Sequence, residues 1–391
     1  NAPPNLFESD TLISGGVIRG TLATMLKEAI GLPRDAVIDA QLPAPWQALG
    51  EYFNCIRFTH AFCALQSSAA RPVTAPLTLV KDAEGQLLKD SQGHVCDVSL
   101  CEAPGLLGPS RQAPSFAVDW KNRDDVDALF GWPLSHQIKR ELRVRTAMDR
   151  DYRRAKDNQL FAYDMVVPEG LIWYGAVDLS DVPAGPDRNA VSVQLHALLQ
   201  RGLHGIGKTK ARAAVDTDVA ISPWQPSSCQ PIHADTWVIT LQTPALLCDP
   251  KALDETSGHE VLFNAYHHAW AELSGHHLKL IRFFASQSLA GGYQVYRFQP
   301  SKPYNPFLLT DAGSVFVLQA VSDVTAAQAE LQKWLAHGLD LPPWAITRYG
   351  EDWQTCPFLR HDGFGEIAVN LPCNRQPDAE VFHGIKKSLA H

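Results

Sequence analysis

The pattern of hydrophobic and polar residues is most regular in the second half of the chain. Short apolar runs there predict strands, and apolar residues that recur at three- and four-residue steps predict helices. In chain order these are a strand at 235–243, a helix at 260–274, strands at 278–284, 291–298 and 313–321, and a helix at 326–337. A last strand is expected within 361–370, after a Gly-x-Gly sequence. This order fits a β-α-β-β-α-β unit.

The first half of the chain fits the same order. Its predicted elements are a glycine turn at 12–20, a helix at 21–30, a strand at 57–65, two strands joined by a turn at 168–170 within 159–179, a helix at 191–200 and a strand at 213–221. Proline and glycine recur between 103 and 119, which indicates an irregular insertion.

The sequence therefore predicts an α+β fold with two ferredoxin-like (RRM-like) β-α-β-β-α-β domains that carry loop insertions. A chain of 391 residues is long for a single hydrophobic core, so two domains are expected. We place the first at 1–225, with an insertion near 66–130, and the second at 226–391.

The charge of the chain restricts how it could bind nucleic acid. Its formal net charge is −8, which excludes a protein that coats nucleic acid through general positive charge, so any such site must be local. One basic stretch is present, and it consists of Lys139, Arg140, Arg143, Arg145, Arg150, Arg153, Arg154 and Lys156. The alternative for this stretch is the solvated face of a charged helix.

A glycine loop at 202–212 is the most distinctive motif. Residues Gly202 to Thr209 match the phosphate-loop pattern of nucleotide hydrolases, but that pattern needs a strand before it and a helix after it, and a helix is predicted before it instead. A surface turn is a second interpretation. The third is a glycine loop that lies along a nucleic-acid backbone, with Lys208, Lys210 and Arg212 beside the phosphates.

Neither metal nor cofactor is expected from the side chains. The eight cysteines are scattered, which is typical of reduced cytosolic thiols. Cys96 and Cys101 have a spacing compatible with half of a zinc site, but no second pair at finger spacing follows. No apolar run approaches the roughly 18 residues of a membrane span. No signal pattern opens the sequence, so a cytoplasmic protein is expected.

Taken together, the motifs resemble the RAMP superfamily of CRISPR effector subunits, and most closely the type III-D RAMP subunit family. The resemblance is carried by Ser14–Ala23, Arg145–Arg150, Asn158–Asp164, the glycine loop, Ala290–Gly292, Ala312–Leu318 and Asp362–Gly365. These segments span nearly the whole chain. One departure is that the family's first strand, before Ser14, is missing or truncated.

The resemblance implies a structural subunit that binds CRISPR RNA in a type III effector complex of antiviral defence. It also implies target RNA, other RAMP subunits and a large polymerase-like subunit as partners. The residues expected to contact RNA lie in three groups: Ser14, Gly15, Gly16 and Arg19; Arg143, Arg145, Arg150, Arg153 and Arg154; and Gly205, Gly207, Lys208, Lys210 and Arg212.

Two alternatives stay open at this point. The chain could be a RAMP endoribonuclease, in which His204 beside the glycine loop is the best candidate general base, although no partner acid is evident and we favour a non-catalytic subunit. For Arg19, the alternative to an RNA contact is an ion pair with a carboxylate of its own helix or of the second domain.

Overall fold

The structure is a computed structural model that describes residues 6–33, 35–79, 87, 89–90, 92–95, 97–100, 124–148, 155–207, 209–217, 219–253, 259–291 and 306–375. Within these ranges the fold is mixed α+β. The helices are α1 (Gly15–Ile30), α2 (Gln47–Tyr52), α3 (Asp124–Leu129), α4 (Pro186–Leu199), α5 (His259–Leu273), α6 (Val324–His337) and α7 (Pro343–Tyr349). None of these helices is long and apolar enough to cross a membrane.

The strands of the first half are β1 (Leu6–Glu8), β2 (Arg57–Phe58), β3 (Phe62–Leu65), β4 (Ala70–Arg71), β5 (Arg140–Met148), β6 (Ala155–Val166), β7 (Leu171–Tyr174), β8 (Val177–Asp178), β9 (Leu203–Ile206), β10 (Ala211–Ala213) and β11 (Ser222–Pro223). Those of the second half are β12 (Thr236–Leu241), β13 (Leu278–Phe284), β14 (Gln287–Ala290), β15 (Phe307–Thr310), β16 (Val315–Ala320) and β17 (Ile367–Val369).

The second half contains one antiparallel sheet of four strands in the order β13-β16-β12-β17. Helix α5 connects β12 to β13, β14 and β15 come between β13 and β16, and α6 and α7 come between β16 and β17. Helices α5 and α6 pack over the sheet. Trp270 of α5 lies 5.0 Å from the Phe316 ring of β16 and 5.5 Å from Trp334 of α6, between ring centroids, and all three are fully buried.

Both faces of this sheet are covered over its two central strands. Five of the six residues of β12 are buried, as are five of the six of β16. On one side lie the helices. The segment from 73 to 100 also packs on the second half: the Thr74 N–H donates to Gln242 Oε1 at 2.7 Å, and Arg282 donates to the Ser99 carbonyl at 3.1 Å. Within the insertion predicted near 66–130, the described residues Thr74 and Ser99 therefore contact the second half.

The strands of the first half do not form one four-stranded sheet. Strands β2 and β3 pair antiparallel with β8 and β7, while β1, β6 and β5 form a separate three-stranded sheet. The two strands predicted within 159–179 exist as β6 and β7, but they do not pair with each other. Strand β6 continues its ladder with β5, where the Val167 N–H donates to the Lys139 carbonyl at 2.9 Å. The basic stretch is a strand from 140 to 148, and the helix-face interpretation is wrong over those residues.

Helix α1 begins earlier than predicted. Residues 15–20 belong to the helix rather than to a turn, because Ser14 is the N-cap and its Oγ accepts from the Val17 N–H at 3.3 Å. A short strand, β1, precedes this helix. The strand predicted at 213–221 is also wrong in extent, since only β10 and β11 form at its two ends.

Each half has a hydrophobic cluster of its own, and a third cluster contains residues of both halves, among them Phe130 and Leu371. The cluster of the first half centres on α1, α2 and α4, and that of the second half on the four-stranded sheet with α5 and α6. Ion pairs also join the halves. Three arginine–carboxylate pairs connect the halves: Arg19–Asp362 at 3.1 Å, Arg71–Glu366 at 2.6 Å and Arg360–Asp181 at 2.7 Å. The second of these is bidentate, since the other guanidinium nitrogen of Arg71 lies 2.9 Å from Glu366 Oε2.

Candidate nucleic-acid interface

Two of the predicted basic residues lie on an open sheet. Arg143 and Arg145 are in β5, where every residue from 140 to 145 is exposed. Successive residues of a strand point to opposite faces, so exposure at six consecutive positions means that neither face of β5 is covered there. Arg143 and Arg145 are two residues apart and therefore share one face.

The register of the sheet adds aromatic rings to that face. Arg143 is opposite Tyr163 of β6, and Arg145 is opposite Phe161, so these four side chains lie on the same side. On the far side of β6, Phe7 of β1 is in register with Tyr163. The Phe7 ring stacks on Tyr163 at 5.4 Å between centroids and lies 6.2 Å from Phe161. We call Phe7, Phe161 and Tyr163 the aromatic row.

Arg143 and Arg145 differ in the protein groups that they contact. Arg143 donates to Glu141 Oε2 at 3.0 Å, and this hydrogen bond together with the guanidinium charge lowers the pKa of the Glu141 carboxyl. The Arg145 guanidinium carbon instead lies 5.6 Å from the centroid of the Tyr163 ring, a cation–π contact. Arg145 makes no ion pair with any carboxylate among the described residues. Arg145 is exposed on this face.

The opposite face of the same sheet has a different character. Leu142 and Val144 point to it and are 63% and 56% exposed. Arg140 lies on this side and pairs with Asp164 at 3.1 Å, while its other nitrogen donates to the Ser9 carbonyl. The charge of Arg140 is therefore neutralised, in contrast to that of Arg145 beside the aromatic row.

The glycine loop forms a β-hairpin. Strands β9 and β10 pair antiparallel, and the turn between them contains Gly207 at φ 61° and Lys210 at φ 54°. Gly205 has φ 88°, and an added Cβ at Gly205 or Gly207 would meet no atom within 4 Å. Glycine is thus needed at both positions for the backbone conformation rather than for space. Strand β10, and not a helix, comes after Thr209, so the phosphate-loop interpretation is wrong.

The tip of this hairpin is exposed and basic. Gly205, Gly207, Lys210 and Arg212 are all exposed, as expected of a loop that presents its backbone to a ligand. The predicted contact Lys208 lies outside the described residues, as do Arg150, Arg153 and Arg154 of the basic stretch and the Cys96/Cys101 pair. Among the described residues no cluster of three or more potential metal ligands occurs.

The hairpin and the open sheet are carried by different parts of the first half. Strand β9 packs on α1, where the His204 N–H approaches Met25 Sδ at 3.4 Å. Strand β5 instead belongs to the sheet with β1 and β6. His204 itself is exposed, and its Nε2 lies 2.8 Å from the Arg201 carbonyl oxygen. The His204 ring nitrogen therefore faces a backbone carbonyl rather than an acidic side chain.

The start of α1 faces the interior of the protein. Gly15 is buried, its N–H donates to His60 Nδ1 at 3.2 Å, and a Cβ at this position would lie 1.9 Å from the Phe58 carbonyl oxygen. A Cβ at Gly16 would contact the Asp362 side chain at 3.5 Å. The residues Ser14, Gly15 and Gly16 therefore cap α1 and let it approach the second half closely, so that this helix start is covered.

Arg19 makes an ion pair with a carboxylate of the second half, which the sequence analysis gave as the alternative to an RNA contact. It is 8% exposed and donates to Asp362 Oδ1 at 3.1 Å, to the Ile56 carbonyl at 2.9 Å and to the Asn54 carbonyl at 3.2 Å. Burial raises the pKa of Asp362 more than Arg19 lowers it. Both terminal nitrogens of the guanidinium donate to protein acceptors, and Nε, which has no partner, is buried, so this arrangement favours the structural role.

The sequence alone did not identify the aromatic row as functional. Phe161 and Tyr163 lie within a motif that carried the RAMP resemblance, and their period-two spacing could have placed them on one face with each other. Phe7 gave no such signal, because its neighbour Tyr163 is far away in the sequence.

No known protein family matches the chain, and no curated protein matches it. Solved structures do align with most of it. Two are cryo-EM structures of the type III-B Cmr-beta, one bound to cognate target RNA and AMPPnP (TM-score 0.38, 12% identity, 81% of each chain) and one bound to cognate target RNA (TM-score 0.37, 12% identity, 85% of this chain and 86% of the other). A third is the Csm3-Csm4 subcomplex of the type III-A CRISPR-Cas interference complex (TM-score 0.34, 11% identity, 80% and 89%). All three are chains of type III CRISPR complexes, and at these identities the likeness is distant.

Proposed function

We propose that this chain is a structural subunit that binds CRISPR RNA in a type III RNA-guided effector complex. The observation that carries the proposal is a pair of exposed arginines, Arg143 and Arg145, on a strand whose two faces are uncovered. In a chain of net charge −8, cations gathered at exposed positions favour a local anionic ligand over general attraction.

The glycine hairpin supplies a second point of contact. Its tip is exposed and contains glycines with positive φ, and Lys210 and Arg212 add charge beside them. Backbone N–H groups and basic side chains bind phosphate without regard to base identity. Such contacts suit a subunit that holds guide RNAs of many sequences.

The proposed partners derive from the RAMP-like motifs. We infer that other RAMP subunits and a large polymerase-like subunit assemble with this chain, and that target RNA pairs with the guide that it holds. Within this proposal the chain comprises two ferredoxin-like domains at 1–225 and 226–391. The strand order of the second half supports its ferredoxin-like topology. Each half has a cluster of its own, which supports the division, and a third cluster with Phe130 and Leu371 packs the halves against each other.

A structural role is favoured over the endoribonuclease alternative. RNA cleavage through the 2′-hydroxyl needs a base and an acid within hydrogen-bond reach of the same phosphodiester. His204, the best candidate, contacts a backbone carbonyl. Replacing His204 by Ala should therefore leave target-RNA cleavage by the assembled complex within a few-fold, whereas loss of a general base costs roughly 10² to 10⁴.

The decisive experiment is affinity purification of the full chain from its host, followed by sequencing of the bound RNA and mass spectrometry of the bound proteins. The expected result is repeat-derived guide RNA together with further RAMP subunits. Recovery of unrelated RNA, or of the chain without RNA, would contradict the proposal.

A binding measurement then tests the surface. Changing Arg143 and Arg145, or Lys210 and Arg212, to Ala should weaken single-stranded RNA binding and reduce the salt slope by roughly 0.7 for each phosphate contact that the substitution removes. Lys333→Ala is the matched control, because it removes a positive charge from α6, where this lysine lies 3.5 Å from Asp340. Equal salt slopes in all variants would remove these residues from the site.

A further inference from the structure

We propose that the aromatic row is a base-stacking site, so that the sheet β1-β6-β5 binds single-stranded RNA through its bases as well as through its phosphates. This inference rests on the proposed function, since it specifies how the RNA is held. It assigns a role to Phe7, Phe161 and Tyr163, which the phosphate contacts alone leave without one.

The first step of the argument is accessibility. Large aromatic side chains that serve only packing are found inside the core, as Phe58 and Phe316 are in this protein, each at 0% exposure. Phe7, Phe161 and Tyr163 are instead half-buried, and they lie on a sheet whose neighbouring strand β5 is exposed from 140 to 145. Part of the surface of these side chains is therefore accessible to a ligand.

The second step is the arrangement of rings and charges. Tyr163 is in the central strand, Phe7 reaches it from β1, and Arg145 reaches it from β5. Rings therefore occupy the central strand and the β1 border of the face, and arginines occupy the β5 border. Arg143 and Arg145 are two residues apart, which in a strand is about 7 Å, a separation that adjacent phosphates of an extended nucleic acid can match.

The third step concerns which form of nucleic acid, unpaired or duplex, this arrangement can bind. Bases stack on aromatic side chains and on arginine planes, whereas the bases of a duplex are already stacked inside it and cannot reach a flat sheet. A face with rings on its central strand and cations at its β5 border thus fits an unpaired RNA segment. The opposite face has exposed apolar residues, Leu142 and Val144, and its arginine, Arg140, is paired with Asp164. On the aromatic face Arg143 is paired with Glu141 as well, but Arg145 lies against the Tyr163 ring. The face with the aromatic row is therefore the better match to RNA.

The test compares the full chain with variants that lack one ring. The probes are a fluorescently labelled single-stranded RNA of about 12 nucleotides and the same backbone with abasic positions at its centre. Tyr163→Leu and Phe161→Leu should each weaken binding of the first probe about tenfold or more, with an unchanged salt slope, because the substitution removes a stacking partner and no cation. Binding of the abasic probe should be weaker in the unmodified protein and insensitive to these changes.

The matched controls are Leu142→Ala, on the other face of the same sheet, and Tyr163→Trp, which keeps a ring. Both should bind like the unmodified protein, and stacking of a base on the new indole should quench its fluorescence. Melting temperatures of all variants distinguish weaker binding by a folded protein from unfolding.

The outcomes are distinguishable. If the protein binds the RNA and the Leu variants bind it equally well, the stacking site is refuted while the proposed function stands, and the row would then serve a protein neighbour. If the unmodified protein, alone and in its purified complex, holds no RNA, the proposed function and this inference both fail.

Discussion

The ion pair between Arg19 and Asp362 gives the sharpest prediction about how the two halves hold together. Both groups are inside the protein, with side-chain exposures of 9% and 7%, and the guanidinium also donates to the Asn54 and Ile56 carbonyls. Arg19→Met removes the cation and leaves a buried carboxylate without its partner. Breaking a buried pair from one side costs about 3–5 kcal/mol, because the remaining charge has neither water nor a counter-ion.

The magnitude translates into a measurable change in melting temperature. At roughly 2–4 °C per kcal/mol for a large domain, Arg19→Met should lower the melting temperature by at least about 6 °C. Arg19→Lys keeps the charge, but an ammonium cannot reach one carboxylate and two carbonyls with the geometry of the guanidinium fork, so a smaller decrease is expected. Asp362→Asn combined with Arg19→Met removes both charges. The double variant should therefore be more stable than the sum of the two single losses by about 0.5–3 kcal/mol.

The assay is thermal unfolding measured by circular dichroism, with RNA affinity measured on the folded protein at low temperature. Binding should be intact in Arg19→Met, since the side chain presents no donor at the surface. Two results together would refute the reasoning: a melting temperature of Arg19→Met within about 1 °C of that of the unmodified protein, and a clear loss of its RNA affinity. Such results would return Arg19 to the RNA-contacting group predicted from the sequence.

Three further predictions concern the start of α1 and two buried titratable groups. Gly15→Ala should destabilise the protein by at least about 1–3 kcal/mol, because the new Cβ would overlap the backbone. Gly20→Ala, on the open side of the same helix, should stabilise it by about 0.5–1 kcal/mol. Thermal unfolding measures both changes. Burial lowers the pKa of His60 to about 4. Between pH 6.5 and 4 the unfolded chain is therefore protonated at His60 while the folded chain is not. The free energy of unfolding should decrease by about 3 kcal/mol over this range. His60→Asn keeps an acceptor for the Gly15 N–H and should lose less stability over this range; equal losses would contradict the assignment. Burial raises the pKa of Asp97 to about 6, so protonation of Asp97 stabilises the folded state as the pH falls. Asp97→Asn should therefore make the loss of stability on acidification steeper. An unchanged dependence of stability on pH would refute this role.

The second half could be predicted because its signals are local. The predicted bounds of β13 match the observed ones, and α6 begins after Asp323, whose Oδ1 accepts from the Thr325 and Ala326 N–H groups, and ends at Gly338 with φ 76°. Caps and hydrophobic periods specify where an element begins and ends without reference to the rest of the chain. The strand expected at 291–298 lies outside the described residues apart from Gly291.

The first half was harder because its decisive contacts are distant in sequence. Strand β5 has a period-two signal, in which Leu142 and Val144 alternate with Arg143 and Arg145, but the density of charge also suits an exposed helix. Which neighbour β6 pairs with is a choice between two adjacent segments that alternation alone does not decide. Arg19 is the extreme case, since its carboxylate partner is 343 residues away and nothing near Arg19 distinguishes a buried arginine from an exposed one.

The aromatic row shows how much of a binding face depends on register. Alternation within β6 is enough to put Phe161 and Tyr163 on one side of the sheet. Only the pairing of β1 with β6 adds Phe7, and only the pairing of β5 with β6 adds the two arginines. A slip of one residue in either pairing would move these groups to the opposite face and separate the rings from the charges. The short strand before α1 therefore has a consequence for the proposed site as well as for the fold, because it fixes the position of the third ring.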